Sequence, residues 1–251
     1  MGIFSKIFGS GGGQQTTKVR AQFKDGAYFQ KEVTRFEQIA EEMEKKPPQQ
    51  PDPFYYWSFA GKLNKILELE YSAGKQVDGL VDIYKRSLDN YVKGWDKNDP
   101  TYEDLLNMVS WGILLDIPAS DFRRLEQYIE RADSEGPENW KPDALLWYLV
   151  RRRLNNAPSD IGATLFPAIY QPLFDITQLP KADAENAVRE YLGKWYELRK
   201  GSPWFNTHAR DKGYSGYWAW DVAAVVKVMG LDDSSFKDNP YYPYDIVHWR
   251  D

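Results

Sequence analysis

The 251-residue sequence has no cysteine and two histidines. The first absence removes disulfides, thiolate metal sites and a cysteine nucleophile. The second leaves little for an imidazole metal centre, so no metal and no cofactor is expected. No run of about 18 apolar residues occurs that could cross a membrane as a helix. Sustained period-2 alternation between hairpin turns is missing, which argues against sheets. No fixed 34-residue repeat is present, which argues against a regular solenoid. The phosphate-binding glycine loop, the dinucleotide fingerprint and the GxSxG elbow are also missing. Gly213-Tyr214-Ser215-Gly216 lacks the elbow's spacing. Basic excess is missing too: 32 Lys and Arg face 37 Asp and Glu, a net charge of −5. Direct nucleic-acid binding needs a basic face, and a basic protein is the better matched partner.

What is abundant is aromatic. Ten Trp, seventeen Tyr and twelve Phe make 16% of the chain, within 42% apolar residues. Trp and Tyr bury large surfaces but keep a polar atom that needs a partner. A core rich in them is expected to be threaded with polar side chains.

The apolar pattern is helical almost throughout. Asp25 caps a helix carrying Phe29, Val33, Phe36, Ala40 and Met43, which Lys45-Lys46-Pro47-Pro48 ends. Asp52-Pro53 starts the next as cap and first helical residue, running to about Ser72. A third is expected over about 77–95. Thr101, Ser120 and Lys141-Pro142 are read as the starts of three more. Prolines at 158, 167, 172 and 180 leave only one or two turns within 161–176, and a clearer helix follows at 183–200. The expected fold class is all-α: antiparallel helix pairs in one elongated or two abutting subdomains. The division expected is a flexible tail over 1–20, an N-terminal helical domain over 21–135 and a C-terminal one over 136–251. The tail's Ile3, Phe4, Ile7 and Phe8 could form one amphipathic turn, but Lys6 stands where a myristoylation motif needs Ser or Thr. A stable membrane association is not expected, and cytoplasmic residence is the default.

The most apolar stretch is 213–245. Asp221 sits within Trp218, Trp220 and the run Val222 to Val226, a helix apolar on nearly every side and therefore buried. A buried carboxylate needs a cation or several donors. Arg210, Arg250 and His208 are the candidates near in sequence. A catalytic acid is the alternative, but no second catalytic group accompanies Asp221, and triads or metal sets drawn from His208, Asp211 and His248 lack spacing. Gly230-Leu231 suits a helix C-terminus, with Asp232 or Asp233 capping a following turn.

Acids also line helix faces. Glu126, Glu130 and Asp133 fall at i, i+4 and i+7, and Glu135, Glu138 and Asp143 continue into the next joint. Glu37, Glu41 and Glu44 form a second face; Asp96, Asp99, Glu103 and Asp104 form a third cluster. Each face reads either as a solvated surface, offset in part by Arg123, Arg124 and Arg131, or as a docking surface for a basic partner. A helical adaptor for some unrelated basic protein and, more remotely, a small-molecule enzyme using Asp221 are the competing functions.

The order Gly216-Tyr-Trp-Ala-Trp-Asp221-Val-Ala-Ala, then Leu231-Asp-Asp-Ser-Ser, then Tyr241-Tyr-Pro-Tyr-Asp245 resembles the C-terminal domain of the PoNe immunity proteins (PoNi). Asp25-Gly-Ala-Tyr28-Phe29 is similar to the opening of that family's N-terminal domain. The resemblance implies an all-α, non-enzymatic bacterial inhibitor, cytoplasmic, that neutralises a cognate antibacterial DNase of the PD-(D/E)xK type delivered by a type VI or related secretion system. Toxin-binding residues would then lie among Glu126, Glu130, Asp133, Glu135, Glu138, Glu37 and Glu41. Trp218, Asp221, Asp232, Asp233, Tyr241, Tyr242, Pro243 and Asp245 would be the structural signature.

Overall fold

The computed structural model describes residues 18–96, 102–136, 141–156 and 163–251. Among them there are ten α-helices, two 3-10 turns and no strand. The helices are α1 (Gly26–Lys45), α2 (Pro53–Ala73), α3 (Val81–Tyr91), α4 (Tyr102–Leu114), α5 (Ala119–Glu135), α6 (Ala144–Leu154), α7 (Pro167–Ile176), α8 (Lys181–Leu198), α9 (Trp220–Met229) and α10 (Tyr244–His248).

Local chemistry explains most boundaries. Asp25 and Asp52 accept the Tyr28 and Tyr55 backbone N–H groups at 2.9 and 2.8 Å, closing the first turns of α1 and α2. Gly74 takes a left-handed φ of 100° and ends α2. Residues expected as one helix over 77–95 divide into a 3-10 turn at Val77–Leu80 and α3. The Thr101 cap lies outside the described residues. Ser120 is not a cap: α5 begins at Ala119 behind Pro118, with no side-chain cap bond. Nor do Lys141-Pro142 open α6. That cap is Asp143, which accepts Leu146 N–H at 3.0 Å. The acid expected on the docking face is therefore buried. It also takes the Tyr102 hydroxyl at 2.7 Å and Leu165 N–H at 2.9 Å. α7 is longer than expected, ten residues with Pro172 inside it, a position where proline removes one ladder bond without ending the helix.

α2 packs along α1 on one side and α3 on the other. α9, apolar on nearly every side, lies against α4 and α6, while α7 packs on α8. One core cluster runs from Phe29 to Val247, and a smaller one holds Ala40, Phe59, Leu63 and Ile66. The stretch before α9 crosses the first two helices. Tyr28 donates its hydroxyl to the Tyr214 carbonyl at 2.9 Å, Ser72 donates to the Ser215 carbonyl at 2.5 Å, and Trp218 donates to Ser72 Oγ at 2.8 Å. An N-terminal strap does the same from outside. Arg20 donates to the Tyr71 and Lys75 carbonyls at 3.0 and 2.7 Å and pairs with Asp245 at 2.7 Å. Arg20 thus ties the segment before α1 to the end of α2 and to α10.

Gly112 tests the packing between α3, α4 and α5. A Cβ there would stand 2.7 Å from the Tyr84 hydroxyl, which is itself held by the Met108 carbonyl at 2.8 Å, and 3.1 Å from Phe122. Alanine gains about 1 kcal/mol of helix propensity over glycine, but overpacking a tight core costs about 1–3 kcal/mol. Gly112→Ala is expected to lower the melting temperature by a few degrees; thermal denaturation followed by circular dichroism checks it.

Candidate functional site

Asp221 stands in the first turn of α9 and is 5% exposed. Its partner is none of the three cations near it in sequence. Arg199, at the end of α8 and 3% exposed, donates to it at 2.5 Å, and the Trp195 indole adds a bond at 3.3 Å. Burial alone would depress the guanidinium's basicity, but the Asp221 carboxylate together with the Tyr191 and Tyr170 hydroxyls outweighs it, and Arg199 is held above its ordinary value. Arg250 instead pairs with Asp116 at 2.6 Å. Arg210 is exposed. His208 stacks on Phe23 at 4.2 Å and bonds Tyr217 at 2.9 Å. Among the described residues no three His, Asp or Glu side chains converge as a metal set.

The rest of the sequence signature fastens α9 to its surroundings. Gly230 at φ 62° ends α9, and the buried Leu231 sends its N–H back to Val226. Asp232 caps the following turn through Ser234 N–H at 2.9 Å. Asp233 is buried and accepts the Tyr242 hydroxyl and His248 Nε2, both at 2.8 Å. Tyr241 stacks on Tyr196 at 5.3 Å and gives its carbonyl to Ala219 N–H. Pro243 precedes α10, and Asp245 receives Arg20.

Beside the ion pair lies a cleft of about 300 Å³. Glu103 and Asp104 reach it from the first turn of α4, where the helix dipole favours carboxylates. Glu68, half-buried on α2, faces them and is paired with Lys65 at 2.8 Å. Trp204 donates its indole N–H to Glu103 at 2.8 Å and stacks on Trp195. Burial raises the Glu103 carboxyl's pKa, with the Trp204 bond and the Arg199 charge pulling the other way. In the sequence Glu103 and Asp104 read only as part of a third acidic cluster with Asp96 and Asp99. Their convergence with Glu68 and Asp221 needed three dimensions.

The acidic faces differ from each other. On α5, Glu126 is half-buried, pairs with Arg123 at 3.4 Å and accepts Asn156 at 3.2 Å. Glu135 pairs with Arg131 at 3.2 Å. Glu130 and Asp133 are exposed, with no ion pair among the described residues. Glu138 lies outside the described residues. On α1, Glu41 pairs with Lys45 at 2.6 Å. Glu37 is half-buried, and burial together with the neighbouring Glu70 charge raises its carboxyl's pKa.

Two family models match this chain: "PoNe immunity protein (PoNi), N-terminal" at residues 18–127 and "PoNe immunity proteins (PoNi), C-terminal" at residues 141–246. The chain belongs to the PoNi family. Its members are immunity proteins, inhibitors rather than enzymes. No curated protein matches. The crystal structure of protein PA2201 from Pseudomonas aeruginosa shares the fold, with a TM-score of 0.70 at 20% identity over 94% of this chain and 92% of that one. In this PoNi chain the C-terminal match ends at residue 246, so His248 and Asp251 lie just beyond it, while Asp233, which His248 contacts, lies within it.

Asp221 follows the rule for a buried pair: removing one partner costs about 3–5 kcal/mol, while replacing both with apolar groups is often neutral. Asp221→Ala is expected to lose that much in urea denaturation, and Arg199→Met/Asp221→Leu to be more stable than either single variant. His248 gives a pH dependence. Burial lowers its pKa, but the Asp233 and Asp251 bonds outweigh this and hold it above the ordinary 6.5. A raised folded pKa means the stabilisation is complete below pH 6.5 and is lost as pH rises through the folded value. The melting temperature is expected to fall over that upward interval, and to fall less in His248→Gln; calorimetry across pH 6–8.5 measures it.

Proposed function

We propose that this chain binds a cognate PoNe nuclease and neutralises it in the bacterial cytoplasm, covering the basic DNA-binding and active site with an acidic surface. The family assignment over both halves of the chain carries the reading. The net charge of −5 supports it, because a groove that neutralises phosphates is basic and opposite fields speed encounter. On α5 the charges available to a partner are Glu130 and Asp133, since Glu126 and Glu135 are already paired. Glu37 on α1 is the second contributor, because a cation brought close would relieve its desolvation.

Co-production with the nuclease encoded beside this gene tests the function: cells are expected to survive only when the protein is present, and equal killing with and without it sinks the proposal. Glu130→Lys/Asp133→Lys is expected to weaken binding to a catalytically inactivated form of that nuclease by about tenfold or more, mainly through a slower on-rate at low salt. Its melting temperature should change little, since surface substitutions usually stay within about 0.5 kcal/mol. Surface plasmon resonance at two salt concentrations reads both.

A further inference from the structure

We infer that the cleft between α2, α4 and the segment before α9 is the socket for one arginine or lysine side chain of the bound nuclease. The inference deepens the proposed function and rests on it. The cleft is lined by four carboxylates, Glu68, Glu103, Asp104 and Asp221, against two cations, Lys65 and Arg199. Both cations are committed, Arg199 to Asp221 and Lys65 to Glu68 and Ser215. Glu103 has a single hydrogen-bond donor, the Trp204 indole, and no cation within ion-pairing distance among the described residues. Glu103 therefore favours the entry of one positive charge.

Shape and lining select the occupant. About 300 Å³ is the lower end of the range for small-molecule pockets, which are mainly apolar. Trp204 and Trp218 line the cleft beside the carboxylates, so an entering guanidinium or ammonium meets aromatic carbon as well as acceptors. The occupant commits to a side chain of the partner, because the charge it needs is that of a nucleic-acid-binding surface, and desolvated arginines are frequent anchors of interfaces. Glu103 is the acceptor with most to gain, since the incoming charge would offset the burial that raises its pKa.

Glu103→Gln keeps the shape and the oxygen that accepts the Trp204 bond while removing the charge. Its binding to the inactivated nuclease encoded beside this gene, compared with wild type and with Glu130→Lys/Asp133→Lys, decides the matter. The expected result is an affinity loss of at least tenfold, carried by faster dissociation, with an unchanged or higher melting temperature. Wild-type affinity in Glu103→Gln would overturn the socket while leaving the proposed function standing. If the wild-type protein neither binds that nuclease nor protects cells, both readings fall together.

Discussion

The ion pair between Arg199 and Asp221 is the constraint around which the C-terminal half is arranged. Both groups are almost fully removed from water, where an unpaired charge is among the costliest things a protein can hold. Placement reduces that cost. Arg199 stands at the C-terminal end of α8 and Asp221 in the first turn of α9, so each charge complements the dipole of its own helix as well as its partner. The guanidinium also donates to the Trp195 carbonyl at 3.1 Å, satisfying a helix-end acceptor. A pair so demanding of geometry sets how α8 and α9 meet, and with them the wall of aromatic rings from Trp195 and Trp204 to Tyr196 and Tyr241.

The aromatic abundance has the consequence expected of it. Trp218, Trp204, Trp249 and Trp195 each donate an indole N–H, to Ser72, Glu103, the Leu114 carbonyl and Asp221. Three of these bonds join residues more than a hundred positions apart. Apolar burial is non-directional. These bonds add direction, fixing which ring faces which polar group in a core that hydrophobicity alone would leave underspecified.

Much of the architecture was legible because it rests on local rules. The Asp25 and Asp52 caps, the Gly230-Leu231 terminus and the buried face of α9 each depend on residues close together in the chain. Errors arose where packing, not sequence distance, decides the partner. Asp221 was matched with Arg210, Arg250 or His208, whereas its partner is Arg199 at the end of α8, nearer in sequence than Arg250 but on a different helix. Asp143 read as surface acid, yet Tyr102 and Leu165 enclose it. Glu126 and Glu130 look equivalent by helical spacing, but only the second is free of an arginine. The cleft was invisible for the same reason: α2, α4 and α9 each contribute acids that mean little alone. Helical periodicity says which face is polar, not what stands opposite it.

The strap at the N-terminus couples the two ends of the chain. Arg20 holds Asp245, and Gln22 donates to the Pro240 carbonyl, contacts that span more than two hundred residues of sequence. The strap's contacts fall into two ranges: those to Tyr71, Ser72 and Lys75 close a loop of about fifty residues, and those to Asp245 and Pro240 close one of more than two hundred. Closing the longer loop costs only modestly more chain entropy, and the strap is already held at α2 when α10 meets it. The strap is thus a hinge pin: releasing Asp245 frees α10 from it while α2 still holds it.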